Sequence, residues 1–146
     1  MVAGDRGNVI IEFALALPIL CLLLVGLADL GRYGLQKSSL LHGAREGAQY
    51  GIVAHEESAN INTTAVNATA LTGVTATNVV FCECVAGTAV SCSTTCGSGQ
   101  TLKRYITVTT SKGFASIIAA GTVSFGSFGS WTPPTSMSAS VTMPVP

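Results

Sequence analysis

The stretch that decides the fold is RGNVIIEFALALPILCLLLVGLADLGRYG, residues 6–34. From Val9 to Ala28 nearly every residue is apolar, and about 20 such residues at a rise of 1.5 Å cover roughly 30 Å, the thickness of a bilayer core. A cleavable secretory signal has an apolar segment of about 7–15 residues and an A-x-A-like site. GLADLG offers no such site. The stretch therefore predicts a transmembrane helix over residues 8–30 that remains as an anchor.

A single carboxylate interrupts the apolar run near its start, at Glu12. A charge at the centre of a bilayer costs about 2.5–3.5 kcal/mol on insertion scales, so acids within membrane segments are rare and usually functional. We therefore expect Glu12 to have a function that offsets this cost.

The composition limits the possible partners. The chain has 146 residues and a formal net charge of zero, and only 10% of its residues are charged, whereas soluble domains have about 25%. Nucleic-acid binding needs a clustered basic face. Lys103, Arg104 and Lys112 do not form one, so we expect no nucleic-acid partner.

Catalytic residues are scarce in the C-terminal part of the chain. A Ser-His-Asp arrangement needs a base and an acid beside the serine, but residues 56–146 contain neither histidine nor aspartate. The only histidines are His42 and His55, and no phosphate-binding glycine motif occurs. The sequence predicts a protein that is not an enzyme and has no cofactor.

Residues 31–55 continue the helical pattern beyond the anchor. They lack proline, and their apolar residues recur at the three- and four-residue spacing of an amphipathic helix. These apolar residues are Leu41, Ala44, Ala48 and Ile52. Gly43, Gly47 and Gly51 repeat every four residues and share one face, where another backbone can approach closely. The alternative is a flexible connector.

Residues 56–146 predict an α+β domain. SANINTTAVNATALTG has helical spacing and is expected to form a helix that ends at Gly73. VTATNVVFCECV, YITVTT, TVSF and MSASVTMPV are rich in Val, Thr and aromatic residues and alternate in polarity, as strands do. A small antiparallel sheet backed by helix accounts for both patterns.

Four of the five cysteines lie within this domain, at Cys82, Cys84, Cys92 and Cys96. Their density in a small Ser/Thr/Gly-rich region predicts disulfides formed in an oxidising compartment, with three connectivities open. Zinc is the alternative, but its cysteine pairs are usually C-x2–4-C, whereas the first pair here is C-x-C. Cys21 is expected to pack as a small apolar residue in the anchor.

Two signals disagree on the orientation of the anchor. The positive-inside rule counts Lys and Arg near the ends of a span. Arg6 precedes the span, whereas Arg32 and Lys37 follow it, which favours a C-terminal domain inside the cell. The four cysteines favour a C-terminal domain outside the cytoplasm, and we give them more weight.

The N-terminal stretch resembles that of the TadE-like pseudopilins of the tight-adherence (Tad) branch of type IV pili. The family pattern is a short leader ending in glycine, four residues, Glu-Phe, and an apolar helix with an early proline. Here these features are Gly7, Asn8–Ile11, Glu12-Phe13 and Pro18. HGAREGAQYG, CSTTCGSGQTLKRYITVTTS and MSASVTMPVP are similar to later parts of the family.

The resemblance implies a specific maturation and assembly. A prepilin peptidase would cut between Gly7 and Asn8 on the cytoplasmic side, and the new amine of Asn8 would become N-methylated. Glu12, with Phe13 beside it, would set subunit register by pairing with the N-terminal amine of a neighbouring subunit. The implied partners are the peptidase, other Tad pilins and pseudopilins, the inner-membrane assembly platform and the membrane.

These inferences divide the chain into a cytoplasmic leader (1–7), a transmembrane helix (8–30), an amphipathic continuation (31–55) and an extracytoplasmic domain (56–146). The predicted function is that of a minor pilin in a Tad pilus used for surface adhesion. One alternative is a membrane-tethered binding module, an adhesin or envelope sensor, that never joins a pilus. Another is a metal-binding or redox domain that uses the four cysteines.

Overall fold

The computed structural model describes residues 6–117, 121–124 and 126–146. Its helices are α1 (Arg6–Val53) and α2 (Ser58–Ala68), with a short 3-10 turn at Gly126–Phe128. Its strands are β1 (Val74–Val85), β2 (Thr88–Val90), β3 (Lys103–Gly113), β4 (Val123–Ser124), β5 (Ser130–Trp131) and β6 (Ser136–Val145).

The chain forms two compact units. The first contains the N-terminal part of α1, up to Gly34, and the segment Ala115–Pro133. The second contains Leu35–Phe114 and Pro134–Pro146. Within the first unit, β4 and β5 form a two-stranded antiparallel ribbon in which Val123 pairs with Trp131.

The first helix has 48 residues and continues through Pro18. The side chains of its apolar run are exposed; for example, Leu15 is 71% and Leu22 is 68% exposed. A helix with apolar residues on all sides and no protein against it is typical of a membrane span. By length and composition it is the one helix of the described chain that can cross a membrane, which indicates membrane anchoring.

The second unit is built on a four-stranded antiparallel sheet in the order β2-β1-β3-β6. The central strand β3 alternates between buried and partly exposed residues, with Ile106, Val108 and Thr110 fully buried. This period of two places one face of the sheet toward the core. The predicted α+β class, with a small antiparallel sheet, is confirmed.

The core of this unit lies between the sheet and the two helices. Its buried members come from α1, α2, β3 and β6, and partly buried residues of β1 pack against them. They are Ala48, Ile61, Ala65, Ile106, Val108 and Val145. A polar contact accompanies this packing, since the buried Thr110 hydroxyl donates to the backbone carbonyl of Leu40 at 2.8 Å. The C-terminal part of α1 is therefore attached to strand β3.

The end of α2 differs from the sequence prediction. The helix ends at Ala68, five residues before Gly73. The Thr69 hydroxyl donates to the Val66 carbonyl at 2.8 Å and accepts from the Leu71 amide at 3.2 Å, while Ala70 adopts φ +52°. A threonine that bonds its neighbouring backbone competes with the helical ladder, and a left-handed residue cannot continue a right-handed helix. The helix therefore stops before the glycine.

The glycine face of α1 packs against α2 and the sheet. A Cβ on Gly43 would overlap the carbonyl oxygen of Ala65 and the Thr69 methyl group, and one on Gly47 would lie 2.7 Å from the Ala65 Cβ. The close backbone is thus α2 of the same chain. The fully buried leucine on this face is Leu40, whereas Leu41, which the sequence pattern had placed with Ala44, is partly exposed. Leu40 continues the four-residue spacing of the buried Ala44 and Ala48.

Gly43→Ala is expected to destabilise the second unit by about 2 kcal/mol, because overpacking typically costs 1–3 kcal/mol and the clash here is with backbone. Gly34→Ala is the matched control on the same helix, since an added Cβ there meets nothing within 4 Å. It is expected to stabilise α1 by up to about 1 kcal/mol. Thermal unfolding of the detergent-solubilised chain measures both changes. Equal effects at the two positions would contradict this packing.

Candidate functional site

The residues predicted to direct processing and assembly lie together at the start of α1. Gly7 and Asn8 are within the helical backbone, and Asn8 and Glu12 are four residues apart, about 6 Å along the axis. That spacing places positions 8 and 12 on the same face. Glu12 is exposed, and Phe13 beside it is 63% exposed.

The surroundings of Glu12 are apolar. Ile10, Ile11 and Leu15 are 70%, 61% and 71% exposed, so the carboxylate lies on a hydrocarbon surface. The two ion pairs found among the described residues, Asp29–Arg32 and His42–Glu46, do not include it. In water such a carboxylate is solvated, whereas in lipid it gains from an opposite charge. An exposed carboxylate on such an apolar helix can therefore be stabilised by an opposite charge.

The four cysteines form two disulfides, Cys82–Cys92 and Cys84–Cys96, with Cα–Cα distances of 5.0 and 5.5 Å. Both links join β1 to the segment that follows β2, which selects one of the three connectivities left open by the sequence. Among the described residues, no group of three or more His, Cys, Asp or Glu side chains is placed to hold a metal ion. Cys21 is a free thiol exposed on α1.

The sequence did not indicate the polar contacts where α1 leads into α2. Glu57 accepts hydrogen bonds from the Tyr50 hydroxyl and the Asn60 side-chain amide, both at 2.7 Å. The bonds from Asn60 and Tyr50 lower the pKa of Glu57, and the bond to Glu57 raises the pKa of Tyr50. Glu57 is the N-cap residue of α2, without a side-chain hydrogen bond to the helix backbone, and the helix dipole favours a negative charge at this end.

These contacts predict a pH dependence. A carboxyl with a lowered pKa stabilises the folded state above its unfolded pKa, and this contribution is lost as the pH falls through the folded value. We expect Glu57→Gln to unfold at a lower temperature than wild type at pH 7, and the gap to close below about pH 4. Glu56→Gln, at an exposed neighbouring position, is the control. A gap that persists unchanged at pH 3 would contradict this role.

Asp29 is a second acid, for which the sequence predicts no role. It lies where the apolar run ends, is only 7% exposed, and accepts a hydrogen bond from the Ile117 amide at 2.8 Å. The Ser116 hydroxyl also donates to it, and the Arg32 guanidinium lies 3.6 Å away. All of these residues belong to the first unit. Asp29 therefore connects the end of the membrane segment to residues 116–117.

The N-terminal part of the chain matches a known protein family. Residues 7–49 match the family model of the TadE-like proteins. Neither the curated proteins nor the solved structures yield a match to the chain. The matched range contains Asn8, Glu12, Phe13 and most of α1, and the TadE-like proteins are a pilin-type structural family. The N-terminal helix of this chain is therefore similar to that of the TadE-like proteins, and the match together with the apolar helix fits a Tad-associated, pilin-like protein.

Proposed function

We propose that this protein is a non-enzymatic minor pilin or pseudopilin that acts in the assembly of a Tad pilus for surface adhesion. The observation that carries the proposal is the family match over residues 7–49. That range joins a glycine, a carboxylate five positions later and an exposed apolar helix in one segment.

The proposed maturation begins with a prepilin peptidase that hydrolyses the peptide bond between Gly7 and Asn8. Water adds across the bond, which leaves a carboxylate on Gly7 and an amine on Asn8. A sulfonium methyl donor then transfers its methyl group to this amine, which loses a proton, and the donor leaves as a thioether. This amine carries a positive charge within reach of the membrane. The substrate of the peptidase is therefore the precursor that carries residues 1–7, and its products are the leader peptide and the mature subunit.

The positive charge of the Asn8 amine offsets the cost of placing the Glu12 carboxylate in lipid. An unpaired carboxylate in lipid costs about 2.5–3.5 kcal/mol, and an opposite charge nearby reduces that cost. Glu12 of one subunit pairs with the Asn8 amine of its neighbour, and only one axial offset between the two helices brings the groups together. Glu12 therefore favours assembly and fixes register, and Phe13 packs against the neighbouring helix.

In this proposal the glycine face of α1 does not contact other subunits. Gly43 and Gly47 are covered by α2 within the subunit, so they hold the domain on its own helix. The contacts between subunits come instead from the exposed apolar part of α1. The exposed side chains from Ile10 to Leu24 provide that surface.

We further propose the boundaries of a leader at 1–7, a span at 8–30, an amphipathic continuation at 31–55 and an extracytoplasmic domain at 56–146. The membrane is the bacterial cytoplasmic membrane, and the domain lies outside the cytoplasm. Two disulfides in the domain support this orientation, because disulfides persist in oxidising compartments.

Deletion of the gene tests the proposal directly. Sheared surface fractions of the deletion strain should lack Tad pilin, and surface attachment should fall with it. A plasmid copy of the wild-type chain should restore both. Normal pili with impaired attachment would overturn the assembly role and favour a membrane-tethered binding module.

A further inference from the structure

The segment Ala115–Pro133 belongs to the same compact unit as the membrane part of α1. We propose that the described residues of this segment, with Ile117 and Trp131 as the contacts, form a second membrane contact, which lies in the lipid headgroup region beside the end of the span. The inference rests on the proposed anchoring of α1. It adds a membrane contact that lies outside α1.

The first observation is that the start of the segment is hydrogen-bonded to the end of the span. If residues 8–30 span the bilayer, Asp29 lies at the end of the hydrocarbon region. The Ile117 amide donates to the Asp29 carboxylate at 2.8 Å, and the Ser116 hydroxyl donates to it as well. These bonds hold Ser116 and Ile117 at the level of the membrane surface. Both bonds end on Oδ2 of an acid that is only 7% exposed, and they reduce the cost of burying it.

The second observation is the character of the exposed side chains. Ile117 is 57% exposed and Trp131, on strand β5, is 45% exposed. Tryptophan is enriched at membrane–water interfaces, where its ring contacts the acyl boundary and its N–H contacts water. Residues 113–146 contain no Asp, Glu, Lys, Arg or His. The segment therefore enters the interface without removing any ion from water.

The third observation is continuity with the anchor. Leu27 and Leu30, at the same end of the span, are 65% and 68% exposed. These leucines flank Asp29 on α1, and Asp29 is bonded to Ile117. Lipid that covers the leucines therefore extends to the depth of Ile117. Arg32 is close by, with a side chain that is 47% exposed, and a guanidinium at this level can bind lipid phosphates. A lipid surface therefore fits the apolar and the charged residues together.

Trp131 is the single tryptophan of the chain, so its fluorescence tests the proposal without labels. The full chain is reconstituted into phosphatidylcholine vesicles with and without brominated acyl chains. We expect brominated lipid to quench Trp131 and its emission to be blue-shifted relative to the urea-unfolded chain. Emission at the urea-unfolded wavelength with no loss in brominated lipid would overturn the proposal.

A depth reference separates this proposal from the anchoring itself. In a Trp131→Phe background, Leu27→Trp places the reporter on the span. If this reporter is quenched and Trp131 is not, the anchor is correct and the second contact is wrong. If neither is quenched, the anchoring fails too. A blue-shifted Trp131 that brominated lipid does not quench would show that protein, such as a second copy, covers the segment, and would also overturn the proposal.

Asp29→Ala tests how the segment is held. The variant loses both hydrogen bonds from Ser116 and Ile117, so quenching of Trp131 should decrease. In the Trp131→Phe background, the same change should leave the quenching of Leu27→Trp unaltered. Unchanged quenching of Trp131 in Asp29→Ala would refute Asp29 as the positioning residue.

Discussion

Glu12→Ala is expected to abolish support for pili while the protein remains in the membrane. Removing the carboxylate deletes the acceptor for the neighbouring amine, so the gain from pairing is lost. An insertion cost of about 2.5–3.5 kcal/mol corresponds to roughly 70- to 370-fold in an equilibrium constant. We therefore expect surface pilin in sheared fractions to fall by at least about tenfold, and membrane retention to stay the same or rise.

Two variants sharpen this experiment. Glu12→Gln retains the shape and hydrogen-bonding capacity but not the charge, and should fail like Glu12→Ala if pairing is ionic. Glu56→Ala removes an exposed carboxylate outside the span and should leave pili unchanged. Normal piliation in Glu12→Ala would contradict the proposed role of this residue in assembly.

Loss of both disulfides is expected to be the largest change in stability. The linked cysteines are 10 and 12 residues apart, and loop-closure entropy gives about 2.5–3 kcal/mol for each such link. Because the two loops overlap, we expect their combined loss to cost about 3–5 kcal/mol. Because the free energy of unfolding of a small domain is only a few kcal/mol, the C-terminal domain should unfold or lose most of its thermal stability in reductant.

The measurement is thermal unfolding of the detergent-solubilised chain with and without reductant, and the Cys82→Ala/Cys92→Ala variant isolates the first link. Cys21→Ala is the control, since that thiol is exposed and unlinked. Thiol titration of the denatured chain should detect one thiol without reductant and five with it. Five thiols without reductant would contradict both links and favour a thiolate site.

The sequence was most informative where periodicity is strong. The apolar run from Val9 to Ala28 predicted the membrane part of α1, because length and hydrophobicity suffice to define a span. The strand predictions at Val74–Val85 and Ser136–Val145 were similarly close, because alternation of polarity is a local signal. The short strands β2 and β5 were missed, since two or three residues are too few to show a period.

What the sequence missed depends on tertiary contacts. The cysteine pairing requires knowledge of where β1 meets the segment after β2. The choice of Leu40 over Leu41 depends on which side of α1 faces the sheet, and adjacent positions on a helix differ by 100°. The bonds of Asp29 to residues 116 and 117 connect positions almost ninety apart in sequence. The sequence signal that corresponds to these bonds is the position of one of only two aspartates at the end of an apolar run.

The mature N-terminus tests the proposed function most directly. The protein is purified from the membranes of a strain with active prepilin peptidase, and its N-terminal peptide is identified by mass spectrometry. We predict a chain that begins at Asn8, with a methyl group on its amine, and accumulation of the form that retains residues 1–7 when the peptidase is deleted. A chain that still begins at Met1 in the peptidase-positive strain would contradict processing at Gly7, and with it the pairing of Glu12.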